Sequence, residues 1–140
     1  VTLNDIGECV LYLQGKYYPD LTMEIAIEAI KGVIEKREVQ HAIITGLFLD
    51  KSAETDMCDE ELKDILMRDA GLYGIDEVLA YGICNLYGSI ALTNYGYIDK
   101  VKPLIIGRLN DHHDKCNTFL DDIIGAIAAS AASKLAHSNH

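Results

Sequence analysis

The sequence predicts an all-α fold, and two patterns indicate it. Apolar residues recur at spacings of three and four through most of the 140-residue chain, as they do in amphipathic helices. Sustained alternation of apolar and polar residues, which is typical of half-buried strands, is nearly absent. We therefore expect a compact bundle of about six helices in a single domain spanning residues 1–140, because a chain of this length can bury an adequate core by itself.

The first half of the chain predicts four helices. Thr2 and Thr22 are suited to cap the first two, because each precedes a segment with apolar residues at helical spacing. A third helix is expected over residues 39–53, where Gly46 allows a neighbouring helix to approach closely. Asp59 is expected to begin the fourth.

The second half predicts one long buried helix and one helix of small residues. Residues 78–98 include no charged side chain, so a helix over about residues 75–93 is expected at the centre of the bundle, surrounded by the others. Its asparagines and glycines make it too polar for a membrane span. Gly96 and Pro103 are expected to break the following segment into short pieces, and an alanine-rich last helix is expected over residues 118–136.

Composition limits the partners and the cellular compartment. Twelve Lys and Arg against 22 Asp and Glu give a formal net charge of −10, which disfavours nucleic acid and anionic lipid as general binding partners. The four cysteines lack the spacing of a zinc site, and we expect reduced thiols in a cytoplasmic protein. No signal peptide is evident, and a first residue other than Met suggests that a leading segment precedes Val1.

Two pairs of adjacent acids, Asp76–Glu77 and Asp121–Asp122, are the main candidates for chemistry. Each pair lies near the start of a nearly uncharged helix between apolar residues, so burial of the helix carries at least one carboxylate inward. A buried carboxylate needs a partner, and Mg²⁺ is a natural one because it binds one or two protein carboxylates together with water and phosphate. Alternatively, the acids stabilise the positive end of the helix dipole while one of each pair faces water. Residue type and position leave both interpretations open.

Four further positions are weaker candidates. Lys102, three residues after Asp99, could hold a phosphate as a point charge, or could belong to a solvated connector. His41 could be a general acid for a leaving alkoxide, because imidazole titrates near neutral pH, or an ordinary core histidine. Asp50 could reach the cleft in which the acid pairs would act, although an exposed helix end is the simpler expectation. The segment 111–114, Asp-His-His-Asp, is expected to be a solvated turn. No cysteine or serine lies in a typical nucleophile motif, which favours attack by a metal-activated water.

Taken in order, these motifs resemble the phosphatidylglycerophosphatase A family, most closely its members without membrane spans. The resemblance covers roughly residues 41–133, and its motifs are Asp76-Glu77 after a small turn, Asp99-x-x-Lys102-Pro103-x-x-Ile106, and Asp121-Asp122-Ile123 before a small-residue helix. It implies a Mg²⁺-dependent phosphomonoesterase that removes the terminal phosphate of phosphatidylglycerophosphate.

The resemblance also implies roles for individual residues. The metal ligands would be Asp76, Glu77, Asp121 and Asp122, with Asp99 as a further candidate. Asp76, Glu77 and Asp122 would be catalytic, and His41 is kept as the candidate acid. Lys102 and Asp99 would contact substrate. The chain departs from the membrane-bound members in having Gly96 where they have an arginine, and in lacking their glycine-rich stretch at residues 115–118.

Two other functions compete with this expectation. One is a catalytically silent, metal-binding helical oligomer, and the other is an all-α nucleotide pyrophosphohydrolase, whose Glu-x-x-Glu spacing Glu24 and Glu28 do not match. The expected substrate is a phospholipid phosphate or a small phosphomonoester, and no nucleic-acid partner is expected. We expect a cytoplasmic protein with peripheral membrane contact, and a homo-oligomer under every interpretation.

Overall fold

Eight α-helices make up most of the computed structural model, which describes residues 1–55, 57–110 and 115–138. They are α1 (Leu3–Gln14), α2 (Met23–Ile34), α3 (Arg37–Ala53), α4 (Glu60–Met67), α5 (Ile75–Cys84), α6 (Ser89–Val101), α7 (Leu104–Asn110) and α8 (Leu120–Ser138), with a short 3₁₀ helix at Gly15–Tyr17. No strand occurs in these ranges, so the all-α prediction is confirmed. None of these helices has the length and apolarity needed to cross a lipid bilayer. The predicted turn at 111–114 lies outside the described residues.

The predicted caps of the first two helices are confirmed. The Thr2 hydroxyl accepts the Asp5 N–H at 3.1 Å, and the Asp5 carboxylate accepts the Thr2 N–H at 2.9 Å, which forms a reciprocal capping box. The Thr22 hydroxyl accepts the Ile25 N–H at 3.3 Å. These contacts are local in sequence, which is why the pattern alone could predict them.

The central helix of the bundle is α8. Every residue from Asp121 to Ser133 is buried, and α1, α2, α3, α5, α6 and α7 all pack against it. A helix without an exposed face belongs at the centre of a bundle. Its alanines and Gly125 let these neighbours approach closely, as the small residues of this segment predicted.

The prediction that residues 75–93 form the central helix is wrong. The chain turns between α5 and α6, where Gly88 has φ of 91°, a conformation that glycine adopts at little cost. Val78 is 62% exposed, so the absence of charge in this segment does not reflect burial on all sides. Gly96 does not break the helix either, because it lies well inside α6. The division of this segment into α5 and α6 is one reason why the described residues form eight α-helices rather than the predicted six or so.

Candidate functional site

The start of α8, which carries Asp121 and Asp122, is held by a carboxylate from a different helix. Asp50 of α3 is only 4% exposed. Its Oδ1 accepts the Phe119 N–H and its Oδ2 accepts the Leu120 N–H, each at 2.9 Å. A helix N-terminus leaves such N–H groups without partners in the helix itself. Asp50 therefore acts as a cap supplied from a distant part of the chain.

Burial of Asp50 has an electrostatic consequence. Desolvation raises its pKa to about 6, although the two backbone N–H groups and the neighbouring Cys116 thiol act in the opposite direction. The expectation of an exposed helix end at this position is wrong, since the side chain points into the structure and fixes the segment that enters α8.

Two more contacts attach this segment to the rest of the bundle. The Thr118 hydroxyl donates to the Leu66 carbonyl at the end of α4, at 2.6 Å. The Cys116 N–H donates to Glu54 Oε2 at 2.9 Å. Together with Asp50, these contacts fix the position from which α8 projects its first acids.

Besides Asp50, three carboxylates are buried at this end of the bundle: Asp76 from α5 and Asp121 and Asp122 from α8. The Tyr95 hydroxyl of α6 donates to Asp122 Oδ1 at 2.7 Å. The Asp76 carboxyl group lies close enough to that of Asp122 to interact with it. The acids predicted from two separate motifs therefore meet in one cluster.

The buried acids resist ionisation. Desolvation raises the pKa of Asp122, and the interaction with the Asp76 carboxyl group and the charge of Asp121 raise it further. Desolvation also raises the pKa of Asp121, against the influence of the nearby Lys102 ammonium. Carboxylates crowded in this way are stabilised in their charged form by a cation.

A partly exposed rim borders the buried acids. Lys102 Nζ lies 3.1 Å from Asp99 Oδ1 and 3.8 Å from Asp121 Oδ2, so this ammonium group links the rim to the buried acids. Desolvation lowers the pKa of Lys102, but the hydrogen bond and charge of Asp99 outweigh that effect and raise it overall. Glu77 is half-buried, and desolvation together with the charges of Asp99 and Asp76 raises its pKa.

One buried oxygen of this cluster indicates room for a cation. Asp121 Oδ1 has no hydrogen-bond partner among the residues that the structure describes, and an unpaired buried oxygen of this kind is costly. Within the described ranges, no three or more His, Cys, Asp or Glu side chains are arranged as a complete metal site. Mg²⁺ commonly binds only one or two protein carboxylates and fills its remaining positions with water and substrate phosphate. The carboxylates present could hold Mg²⁺ in that manner.

The structure bears on one part of the alternative interpretation of the acid pairs, namely that one acid of each pair faces water. Asp121 and Asp122 are both buried, so the expectation that one of them faces water is wrong. In the other pair Asp76 is buried, and Glu77 is close enough to Asp99 for their charges to interact. Five of the predicted residues, Asp76, Asp121, Asp122, Lys102 and Asp99, thus surround one site, with Glu77 at its rim.

His41 lies elsewhere. It is exposed on α3 and lines a groove of about 490 Å³ together with Ile75, Val78 and Leu79 of α5. None of the clustered carboxylates lines that groove. The alternative of a core histidine is wrong, and the structure does not bring His41 together with the acids.

Tyr95 is the functional candidate that the sequence did not reveal. It is one of eight tyrosines, and its hydrogen bond to Asp122 joins residues 27 positions apart. Its location between uncharged residues of α6 carried no signal that distinguishes it from a structural tyrosine.

Comparison with known proteins extends the similarity over nearly the whole chain. The model of the family described as Phosphatidylglycerophosphatase A matches residues 6–137. The uncharacterized protein YutG of Bacillus subtilis (strain 168) is 55% identical over 138 residues, which cover 98% of this chain and 83% of that protein. The uncharacterized protein YpjQ of the same strain is 47% identical over 139 residues, which cover 99% of this chain and 78% of that protein.

Solved structures show the same architecture. The low temperature requirement C protein from Listeria monocytogenes is 55% identical and superposes with a TM-score of 0.97, covering 100% of this chain and 89% of that chain. A protein of unknown function from Bacillus stearothermophilus is 62% identical and superposes with a TM-score of 0.96, covering 100% of this chain and 88% of that chain.

Proposed function

Because the chain belongs to the phosphatidylglycerophosphatase A family, we propose that it is a Mg²⁺-dependent phosphomonoester hydrolase. Its substrate would be phosphatidylglycerophosphate, or a related lipid or soluble phosphomonoester, and its product inorganic phosphate. The main support is the burial of Asp76, Asp121 and Asp122 beside the partly exposed Lys102. This arrangement places a cluster of carboxyl groups next to a cationic group that substrate could reach.

Lys102 is the proposed phosphate contact. Its side chain is 32% exposed, and its ammonium lies between Asp99 and Asp121. It is the C-cap of α6 and adopts a left-handed conformation with φ of 52°. A lysine acts as a flexible point charge, so it can turn from a carboxylate toward an incoming phosphoryl group.

The acids would divide between holding the cation and moving a proton. A bound Mg²⁺ would polarise the phosphoryl group and make a water molecule more acidic. Asp121, whose Oδ1 lacks a partner among the described residues, would hold the ion together with Asp122 or Asp76. Glu77 at the rim is suited to accept a proton from the attacking water, because its pKa is raised toward the working range of a general base. His41 has no role in this proposal, since none of the clustered acids lines its groove.

The test is phosphate release from phosphatidylglycerophosphate in mixed micelles and from glycerol phosphate, each with and without Mg²⁺. Asp122→Asn should reduce Mg²⁺-dependent release by about 100-fold or more while the helical circular-dichroism signal is retained. Asp64→Asn is the matched control, because Asp64 is an exposed acid on α4 whose side chain is 70% exposed.

Three outcomes would contradict the proposal. Undiminished release by Asp122→Asn would mean that the buried acids are not the site. Mg²⁺ binding without phosphate release from any substrate would favour the metal-binding oligomer. Sedimentation velocity would then measure the mass of that oligomer. Pyrophosphate release from nucleoside triphosphates would favour the pyrophosphohydrolase.

A further inference from the structure

We infer that Tyr95 is a positioning residue that limits how Asp122 can bind a cation and thereby favours Mg²⁺ over Ca²⁺. The inference rests on the proposed function, because it concerns the ion that the buried acids would hold. Its basis is geometric: Tyr95 is 1% exposed, and its hydroxyl donates to Asp122 Oδ1 at 2.7 Å.

The Tyr95 hydroxyl is held in place by the packing of its ring. The ring meets the Tyr81 ring edge-on, with centroids 5.3 Å apart and an interplanar angle of 82°. On the central helix, Gly125 lies against it, since a Cβ built there would be 3.6 Å from Tyr95 Cε1. A side chain confined from two helices keeps its polar end at a fixed point, as the support of a binding residue requires.

The contact leaves the two oxygens of Asp122 unequal. Oδ1 already accepts a short hydrogen bond from Tyr95, whereas Oδ2 accepts none from that residue. Mg²⁺ requires near-octahedral geometry at short distances and takes carboxylates through single oxygens, whereas Ca²⁺ accepts both oxygens of one carboxylate in a looser shell. The hydrogen bond occupies one lone pair of Oδ1 and reduces the negative charge that this oxygen offers, so it disfavours Oδ1 as a second ligand and opposes the mode that suits Ca²⁺. Without the hydroxyl, the two oxygens of Asp122 no longer differ in this respect.

A purely structural role for Tyr95 would have a different consequence. If the hydroxyl only satisfied a buried acid, its removal would lower stability and would weaken the binding of both cations alike. A change in the ratio of the two affinities distinguishes positioning from packing, because a general loss of order does not select between ions.

The experiment is isothermal titration of the metal-free full chain with MgCl₂ and with CaCl₂, for the wild type, Tyr95→Phe and Tyr87→Phe. Tyr87 is the matched control because its hydroxyl is buried and has no hydrogen-bond partner in the described part of the chain. We expect Tyr95→Phe to lower the ratio of Mg²⁺ to Ca²⁺ affinity about tenfold, a typical effect of removing a group that orients a metal ligand. Tyr87→Phe should leave the ratio unchanged.

An unchanged ratio in a folded Tyr95→Phe variant would overturn this inference and leave the proposed function intact. Failure of the wild type to bind Mg²⁺ would overturn the proposed function itself. If Tyr95→Phe does not fold, infrared spectra of the Ca²⁺-loaded wild type, with Asp122→Asn as the blank, provide the second test. Carboxylate bands of single-oxygen coordination would support the inference, and bands of two-oxygen coordination would overturn it.

Discussion

Replacement of Asp50 by alanine tests how the acids of α8 are held. The substitution removes the acceptor of the Phe119 and Leu120 N–H groups and leaves the helix backbone otherwise intact. No other hydrogen bond of either N–H group is seen in the described structure, so the substitution leaves a buried N–H at Phe119 and a partly buried N–H at Leu120 without an acceptor.

The expected loss of stability follows from these two contacts and from the buried charge. A buried N–H without an acceptor costs about 1–3 kcal/mol, so two such groups cost about 2–6 kcal/mol. Against this, desolvation of Asp50 raises its pKa from 3.8 to about 6, so the folded state binds a proton that the unfolded state has released. The free energy of unfolding of the wild type therefore falls by about 1.4 kcal/mol per pH unit as the pH rises between these two pKa values. The variant has no such loss.

Denaturant unfolding followed by circular dichroism at pH 5 and pH 7 measures both effects. We expect Asp50→Ala to be less stable than the wild type by about 2–5 kcal/mol at pH 5, and the gap to narrow by about 1.4 kcal/mol at pH 7. Lys51→Ala, which alters the exposed neighbour, should change stability by less than about 0.5 kcal/mol. A loss as small as that of Lys51→Ala at both pH values, or a gap that widens with pH, would refute the reasoning.

Three further predictions concern packing, substrate and pH. Gly46→Ala should destabilise the protein by about 1–3 kcal/mol, because a Cβ there would clash with Ile123 and lie 3.2 Å from Phe119 Cβ. Gly96→Ala should stabilise the protein by about 0.5–1 kcal/mol, since no described atom outside its own helix backbone lies within 4 Å of a Cβ built there. Thermal melts compare the two variants with the wild type, and equal shifts in Tm would contradict the packing argument. Lys102→Ala should raise KM for the phosphate ester about tenfold in steady-state assays, and an unchanged KM would remove Lys102 from substrate binding. Without metal, the free energy of unfolding should fall between pH 5 and pH 7 even in Asp50→Ala, because the pKa of Asp121 is raised by desolvation, and a flat denaturation series would contradict this.

The helices that the sequence predicted well are those specified by local contacts. Thr2 and Thr22 cap residues only three positions away, so their role is visible in a short window. The identity of the central helix was not visible in that way. An uncharged run and a buried run look alike in composition, and only the packing of the whole bundle separates the exposed Val78 from the buried α8.

The residues of the site also differ in whether the sequence alone could reveal them. Asp76, Asp121 and Asp122 could be identified because acids between apolar residues at a helix start are unusual enough to stand out. Their supports could not, because Asp50 reaches Phe119 across 69 positions and Tyr95 reaches Asp122 across 27. A hydrogen bond over such a separation leaves no periodic pattern. The sequence thus indicates the reactive groups, whereas the structure supplies the residues that hold them.

The central position of α8 has a consequence for how the protein is made. Six other helices pack against a segment that follows all of them in the chain. During synthesis, α1 and α2, which also pack against each other, leave the ribosome more than eighty residues before α8, which packs against both. We therefore expect the nascent chain to gain protease resistance in a single late step, once residues up to about 133 have emerged, rather than helix by helix.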